Sequence, residues 1–569
     1  MNPAAPGLPQ KPEGIPGFVS FLSRHPYMSV AALGTAVYAR TLAFGFNFLD
    51  DNVLVLERAH LLGRPSYLWQ AFSEDAFRSA GTRFYYRPLL TVSFWLDAWW
   101  GGVRPFPFRL TNFALHLACA CLCYRLLVRL KAAPGEAWFC SLAFSVHPAF
   151  TLVPSLLSAR NDSLLGLWLI PSFLAFLRFQ ESGLWSWGLL HMGLWVLGLL
   201  TKETAVVLPL LCLSHRWLVR DAPPRAGWVG ACLCWVLIGL FWFRLRSAML
   251  GGAPGQLGEV LQSLPSNLPA FLGFLGRVFF PLRLSVYPLM DPVKLGAGLL
   301  AFGAIAVLLW RTSGADRRRL FFGGIWFALL LLPSLVKPRD LWSRHDIMET
   351  RVYLPCLGLG MLLAGADLSR MWRISRAALA GAGFSIVALF TALSFAQNAH
   401  YRDRLSFWKN ATATSPESAF AGNNMGAMYY LEGSKQEAEL EWRRTLNLNP
   451  HERLAHGNLG LVLMQRGAWE EAEKELLTEL KLNPRYDHAH FNLGLLYYSR
   501  GRAAEALRLW EKTLDLNPDY TDAYTRLIVH YYNARDIRRL EFYLARVRLR
   551  GLVLPSELTS ALEKQGRRH

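Results

Sequence analysis

The polar C-terminal third of this chain contains no cysteine. The eight that occur elsewhere (Cys119, Cys121, Cys123, Cys140, Cys212, Cys232, Cys234 and Cys356) all lie in apolar segments. There is no disulfide framework and no zinc-ligand spacing, which excludes a small cross-linked module and a structural zinc domain. The run Cys119-x-Cys121-x-Cys123 is not a ligand set, because residues two apart on a helix point about 200° from each other. These thiols are expected to face lipid or core. Charge is also scarce: 18% of residues are charged against 53% hydrophobic. A cleavable secretion signal is not expected. Residues 1–16 are rich in Pro and Gly, and the first apolar run, Met28 to Leu49, is too long for a signal core. Acidic residues are outnumbered 41 to 60, for a formal charge of +19. That excess predicts no nucleic-acid partner, because Arg and Lys cluster between apolar segments, as determinants of membrane orientation do.

What the chain has in abundance is apolar length. Its 569 residues would make several soluble domains of roughly 150 residues each. Residues 28–398 instead consist mostly of apolar stretches of roughly 17–22 residues, the length that crosses about 30 Å of hydrocarbon. Residues 399–569 are polar and charge-rich. Four basic clusters follow apolar runs: Arg125, Arg129 and Lys131; Arg216, Arg220 and Arg225; Arg311 with Arg317, Arg318 and Arg319; and Arg370, Arg373 and Arg376. Placing all four inside predicts eleven spans, near 28–48, 108–128, 137–157, 162–179, 185–200, 203–219, 227–245, 293–310, 320–336, 351–368 and 377–397. The N-terminus is then inside and the C-terminal domain outside. The apolar segment 267–283, broken by Pro281 and Arg283, is expected to lie along the outer interface.

The polar part repeats every 34 residues. Asn-Pro closes successive units at Pro450, Pro484 and Pro518, and Gly426, Gly460 and Gly494 recur in register. So do Gly433, Gly467 and Gly501, and Ala438, Ala472 and Ala506. These are tetratricopeptide (TPR) positions: small residues where two helices touch, Gly at the turn, Pro after the second helix. Pro416 lies one period upstream, so residues 400–415 read as a half-repeat. Residues 521–554 keep Leu527 and Tyr531 but lose the Gly and Ala markers, as a terminal cap does. The predicted organisation is a cytoplasmic tail (1–27), a membrane domain (28–398) with its first outer loop at 49–107, a half-repeat linker helix (399–417), a TPR solenoid (418–554) and a basic tail (555–569).

In this topology several ionisable groups fall at span ends on one outer side: Asp50 and Asp51, Arg160 with Asp162, Lys202 with Glu203, and Glu349 with Arg351. Any one pair could be a solvated helix cap. Four on one face suggest a polar cavity, because charges near hydrocarbon are costly and tend to pair.

Several stretches carry a resemblance in family order: FLDDNVLVL (48–56), YYRPLLTVSFWLD (85–97), PFPFRLTNFALH (105–116), FSVHPAF (144–150), SARNDSLLG (158–166), LLTKETAVVLP (199–209) and VYLP (352–355). Together with the half-repeat leading into the TPRs, they resemble the transmembrane-and-TPR-containing O-mannosyltransferase family, including its bacterial relatives, within the C-type glycosyltransferase superfamily. The sequence departs from the family at Phe150 and Leu152, where the family often has a His and an acidic residue. It departs again at Thr350, which separates Glu349 from Arg351.

The resemblance implies an all-α fold, a polytopic bundle of the C-type glycosyltransferase kind followed by an α-α solenoid. It implies a glycosyltransferase that moves a mannose-like sugar from a polyprenyl-phosphate donor to a protein hydroxyl held by the TPR groove, on the outer face of the membrane. In a bacterium that is the inner membrane. By the family's pattern the base is Asp51 or Asp50. A carboxylate at a span end can take the proton of an acceptor hydroxyl, and cations must stabilise the departing lipid phosphate. Arg87 and Arg160 are the expected phosphate-binding groups, because a guanidinium grips phosphate in a fork; Lys202 and Arg351 are the next candidates. His116, His147, Asp162, Glu203 and Glu349 are supporting residues, with Glu203 able simply to pair with Lys202. No cofactor is expected and no metal is required, although a divalent ion is compatible with the clustered carboxylates. The partners are the lipid-linked donor, a protein or peptide acceptor and membrane lipid. Two other readings remain: an oligosaccharide ligase or polymerase centred on the 338–350 loop, and a membrane-anchored TPR scaffold without chemistry.

Overall fold

The computed structural model describes residues 22–77, 85–219, 227–250, 257–312, 314–335 and 348–566. Most of the N-terminal tail and of the 338–350 loop lies outside the described residues. Every regular element described is helical, and the chain divides into two compact units near residue 407.

The first unit is built from α1 (Pro26–Tyr38), α2 (Pro88–Gly101), α3 (Pro105–Arg129), α4 (Pro134–Ser145), α5 (Arg160–Ser182), α6 (Trp185–Leu199), α7 (Leu208–Leu218), α8 (Trp228–Leu250), α9 (Leu257–Phe279), α10 (Pro292–Arg311), α11 (Gly314–Leu335), α12 (Cys356–Ala364) and α13 (Arg376–Asn398). Proline opens α1, α2, α3, α4 and α10. Its fixed φ suits the first helical position, where the missing N–H costs nothing.

Among the described residues six helices are long and apolar enough to cross a membrane: Pro105–Arg129, Leu157–Ser182, Trp228–Leu250, Pro292–Arg311, Asp316–Leu335 and Arg376–Tyr401. The pair Pro134–Ser145 and Pro148–Ser155, bent by 52°, passes the same test only when taken together, as a broken span or a re-entrant loop. The eleven continuous spans expected from hydropathy are not what forms. Residues 28–48 hold α1 and then a 3-10 turn, Ala39–Ala43. Residues 203–219 open with the 3-10 turn Glu203–Val207 before α7, and 351–368 holds only the nine residues of α12. α6 has 15 residues, about 22 Å at 1.5 Å per residue, short of a 30 Å core. A hydropathy window averages across such breaks and cannot see them.

α9 starts ten residues before the expected interfacial segment and stops before Pro281. It runs antiparallel to α10 at very close approach. A Cβ on Gly276 would sit 1.9 Å from the Lys294 carbonyl oxygen, and one on Gly298 would sit 1.8 Å from that of Leu272. Only glycine permits this contact.

One apolar core joins most helices of this unit, α2 excepted. A smaller core gathers Leu54, Val55, Leu62, Tyr67, Leu90, Phe94 and Phe108. The expected outer loop 49–107 is therefore a packed cap with its own helices, Ala59–Leu62, Tyr67–Gln70 and α2.

The second unit follows α14 (Arg404–Thr414). It pairs α15 (Ala419–Leu431) with α16 (Lys435–Leu448), α17 (Ala455–Arg466) with α18 (Trp469–Leu482), α19 (Asp487–Ser499) with α20 (Ala503–Leu516), and α21 (Thr521–Asn533) with α22 (Ile537–Arg550). Within each of the first three repeats a glycine faces a large side chain sixteen residues on: Gly426 faces Trp442, Gly460 faces Leu476 and Gly494 faces Trp510. In the fourth repeat Ile528 replaces the glycine and Leu544 takes the place of a tryptophan in the same core, so bulk carried by one helix in the first and third repeats is shared between two. Arg535, at φ 52°, occupies the left-handed turn position held by Gly433, Gly467 and Gly501. The basic tail is not a tail over most of its length: Ser556–Gly566 is a helix, α23. Its Leu558 and Leu562, one turn apart, pack on the solenoid core.

This packing makes a prediction. A Cβ at Gly494 would lie 2.6 Å from Trp510 Nε1, so Gly494→Ile should destabilise the third repeat by about 1–3 kcal/mol. Adding Trp510→Leu should restore most of it. Hydrogen–deuterium exchange across Ala503–Leu516 in the full chain reads both effects; unchanged protection in the single variant would contradict the packing argument.

Candidate functional site

The site is organised by the N-terminal half of α3. Arg109, Asn112 and His116 stand at i, i+3 and i+7, share one face of the helix, and are all fully buried.

At one end of this face is Asp51. The turn before it is strained, since Phe48 and Asp50 both have positive φ, 61° and 68°. Asp tolerates that region; Phe rarely does. The turn folds the Asp51 carboxylate back onto its own chain, where Oδ2 accepts the Asn47 backbone N–H at 2.6 Å. Asn47 Oδ1 in turn accepts from Arg109 Nη2 at 2.9 Å. Arg109 also donates to the carbonyls of Ser155 and Gly45. Asp51 is fully buried, and among the described residues its Oδ1 accepts no hydrogen bond. Burial pushes its pKa up to about 6, against the lowering pull of the Asn47 N–H and the Arg109 charge. Asp50, its neighbour, is half-buried.

Next along the face is Arg160. Its Nη1 lies 2.6 Å from Asp97 Oδ2, a charge contact. Its Nε donates to Asn112 Oδ1 at 2.6 Å, Nη1 to Ser93 Oγ at 3.1 Å and Nη2 to the Phe108 carbonyl at 2.7 Å. Its guanidinium carbon stands 4.3 Å from the centre of the Phe94 ring. This group is fully buried and fully engaged, so it ties α2, α3 and α5 together.

The adjacent charges pair across the chain rather than along it. Lys202 Nζ meets Asp162 Oδ1 at 2.6 Å. Glu203 takes a two-point grip from Arg87, Nη2–Oε1 2.6 Å and Nε–Oε2 3.1 Å. Glu349 pairs with Arg277 at 3.1 Å. Sequence neighbours such as Lys202 and Glu203 diverge at the start of a 3-10 turn, so the pairs expected from adjacency exchange partners. The Glu349 carboxyl is raised to about 7 by burial, opposed by the nearby Arg277 and Lys294 charges. Arg351 is half-buried on the same short turn, Glu349–Val352.

Both histidines spend their ring nitrogens inside the protein. His116 Nε2 lies 3.0 Å from the Ser145 carbonyl, which only an N–H can satisfy, so Nδ1 accepts from the Tyr353 hydroxyl at 3.0 Å. His147 Nε2 likewise donates to the Val278 carbonyl at 3.1 Å, and Nδ1 accepts the Ala149 N–H at 3.2 Å. Among the described residues no three His, Cys, Asp or Glu side chains gather as a metal-binding group.

Asp51 thus reaches Arg109 through Asn47, Arg160 is held by Asp97, Asn112 and Ser93, and Lys202–Asp162 and Arg87–Glu203 form two further pairs, while Glu349 and Arg351 lie on the turn before α12. Sequence reasoning passed over Asn47, Asp97, Arg109, Asn112 and Arg277. The i, i+3, i+7 spacing of Arg109, Asn112 and His116 was the available signal for two of them.

The fold is all-helical among the described residues, with several helices long and apolar enough to cross a membrane and a TPR solenoid. The tetratricopeptide repeat family matches residues 428–487, 458–520 and 491–537. The chain is 29% identical to Protein O-mannosyl-transferase Tmtc1 of Drosophila melanogaster over 32% of its own length and 21% of that protein. It is 30% identical to Protein O-mannosyl-transferase tmtc2 of Xenopus laevis over 31% of its own length and 22% of that protein. It is thus similar over about a third of its length to protein O-mannosyl-transferases, and spans about a fifth of the length of the curated relatives it matches. Among solved structures, the crystal structure of MamA matches at 22% identity over 26% of this chain and 89% of that one, with a TM-score of 0.24.

Proposed function

We propose that this chain is a glycosyltransferase that moves a sugar from a polyprenyl-phosphate carrier to a protein hydroxyl at the outer membrane surface. The observation that carries the reading is Asp51, a buried carboxylate with one oxygen left unfilled beside Arg109. The name of the relatives supports the same class. Asp51 acts as general base toward the acceptor hydroxyl, and its raised pKa suits a base working near neutral pH. Arg87 and Lys202 are the cations offered to the lipid phosphate; each must exchange a carboxylate, Glu203 or Asp162, for the phosphate when the donor binds. Arg160 keeps the helices in register, and Arg351 remains a further cation on its turn. Asp51 is closed to solvent here, so the strained 47–51 turn opens to admit the acceptor. The TPR groove holds that acceptor.

The test is purified protein in lipid nanodiscs, supplied with radiolabelled polyprenyl-phosphate sugars and a panel of Ser/Thr peptides. Transfer to peptide is expected, with mannose the leading sugar. No transfer from any donor would favour the scaffold reading, and transfer to a lipid-linked glycan alone the ligase reading.

The orientation is part of the proposal. With the TPR unit outside, a membrane-impermeant maleimide should label Ser434→Cys in intact cells or spheroplasts. Labelling that appears only after permeabilisation would reverse the topology.

A further inference from the structure

Asp51 sits at the end of a short strap, residues 44–51, that follows the 3-10 turn after α1. Two sides of the bundle hold this strap. On one, Arg109 of α3 donates to the Gly45 carbonyl and, at 2.9 Å, to Asn47 Oδ1. On the other, the turn at the end of α13 offers two carbonyls. That of Arg402 accepts the Gly45 N–H at 2.9 Å, and that of Tyr401 accepts from Asn47 Nδ2 at 2.8 Å. The turn is itself pinned by Asn398, the last residue of α13. Asn398 Nδ2 donates to the Val37 carbonyl of α1 at 3.3 Å, and its Oδ1 accepts from Ser155 Oγ at 3.0 Å. Asn47 and Asn398 are both fully buried.

The strap is loaded against these bonds. Phe48 and Asp50 carry positive φ, 61° and 68°, conformations that cost free energy and persist only where the surroundings impose them. Asn47 is where the constraints meet. Its N–H reaches Asp51 Oδ2 at 2.6 Å, while its side chain reaches both walls. Release of that side chain frees the strap without touching Asp51. The turn at the end of α13 also leads straight into α14, whose first residue, Arg404, holds its guanidinium carbon 5.2 Å from the centre of the Phe48 ring.

We propose that Asn47 is the latch of a lid over Asp51 and that residues 399–402 are its keeper: when this turn shifts, the 44–51 strap opens and the carboxylate meets the acceptor hydroxyl. Asn47 is thus a positioning residue that acts through Asp51. The charged groups at Asp51 in the closed state are Arg109 from α3 and, beside it in the chain, Asp50; opening adds water to them. The purpose of the lid rests on the transferase reading, in which a base closed to solvent is uncovered for each acceptor, but the opening can be measured without transfer.

The experiment treats the full chain in lipid nanodiscs with a water-soluble carbodiimide and glycine methyl ester at mildly acidic pH, and reads each carboxyl by peptide mass spectrometry. Exposed Asp367 is the reference, and buried Asp97 and Asp162 report general loosening. In the wild type Asp51 should react slowly. Asn47→Ala and Asn398→Ala should each speed its reaction about tenfold, the effect of two lost hydrogen bonds, with Asp97 and Asp162 still protected. Gly45→Ala keeps its N–H and places a Cβ 3.8 Å from the Arg402 carbonyl, so it should change nothing. In the transfer assay the acid limb of kcat near pH 6 should move down in Asn47→Ala, because an open strap relieves the burial that raises the Asp51 pKa. Asp51 indifferent to Asn47→Ala, or Asp97 exposed together with it, would overturn the latch. A response to Asn47→Ala but not to Asn398→Ala would overturn the keeper. Opening in both variants of a protein that transfers no sugar would sink the transferase reading and keep the lid. An acid limb that stays put while Asp51 opens would remove Asp51 as the base, and with it the positioning role of Asn47.

Discussion

Asp51→Asn should abolish transfer, by about 10²-fold or more, while leaving the protein folded. Asn keeps the volume, still accepts the Asn47 N–H through its amide oxygen, and loses only basicity. The wild-type rate should fall as pH drops through about 6, where the carboxyl takes up its proton, and the variant should lack that limb. Stability provides a second readout with a definite sign. A carboxyl whose pKa is higher folded than unfolded binds more protons in the folded state, so its ionisation costs stability above the unfolded value. Removing it should therefore leave the protein at least as stable at pH 7, with a gain of up to about 3 kcal/mol, and the difference should vanish below about pH 4. Asp50, half-buried within the strained turn at a φ that Asn also tolerates, should accept Asn far better. A double Asn variant with near-normal transfer would remove the catalytic assignment altogether.

The second large effect is on folding. Asp97→Asn leaves Arg160 fully buried without its counter-charge, and Arg160→Met leaves Asp97 in the same position. Breaking a buried pair from one side costs on the order of 3–5 kcal/mol, a large share of the total stability of a folded protein. Each single variant should show a sharp loss of monodisperse protein after extraction and a lowered melting temperature. The double variant Asp97→Leu with Arg160→Met should recover much of both, because a packed apolar pair has no desolvation penalty. The experiment also separates two roles for Arg160. If Arg160→Met folds like the wild type yet binds polyprenyl-phosphate donor poorly, the residue belongs to the donor site and is not a strut between α2, α3 and α5.

The solenoid was legible residue by residue, because a TPR repeat is specified by local periodicity. Gly426, Gly460 and Gly494 announce a close helix contact, and their partners Trp442, Leu476 and Trp510 sit sixteen residues away in the same unit. The tail was less legible: Leu558 and Leu562 are only two apolar positions in a charged stretch, and their docking on the preceding repeat makes α23. In the membrane unit, composition identified the apolar runs but not their breaks. The 3-10 turns at Ala39–Ala43 and Glu203–Val207 arise where the chain must turn a charged residue toward partners distant in sequence.

Sequence by itself determined the class of each unit and the identities of most of the charged groups. Hydrocarbon thickness and the 34-residue period act on short windows, and any window of the chain reports them. Tertiary structure alone decided which charges meet. Arg160 turned to Asp97 rather than Asp162, Lys202 to Asp162 rather than Glu203, and Glu349 to Arg277 rather than Arg351. A buried ion takes the partner that packing brings within reach, and in a helical bundle that partner lies on another helix, at a separation no local pattern encodes.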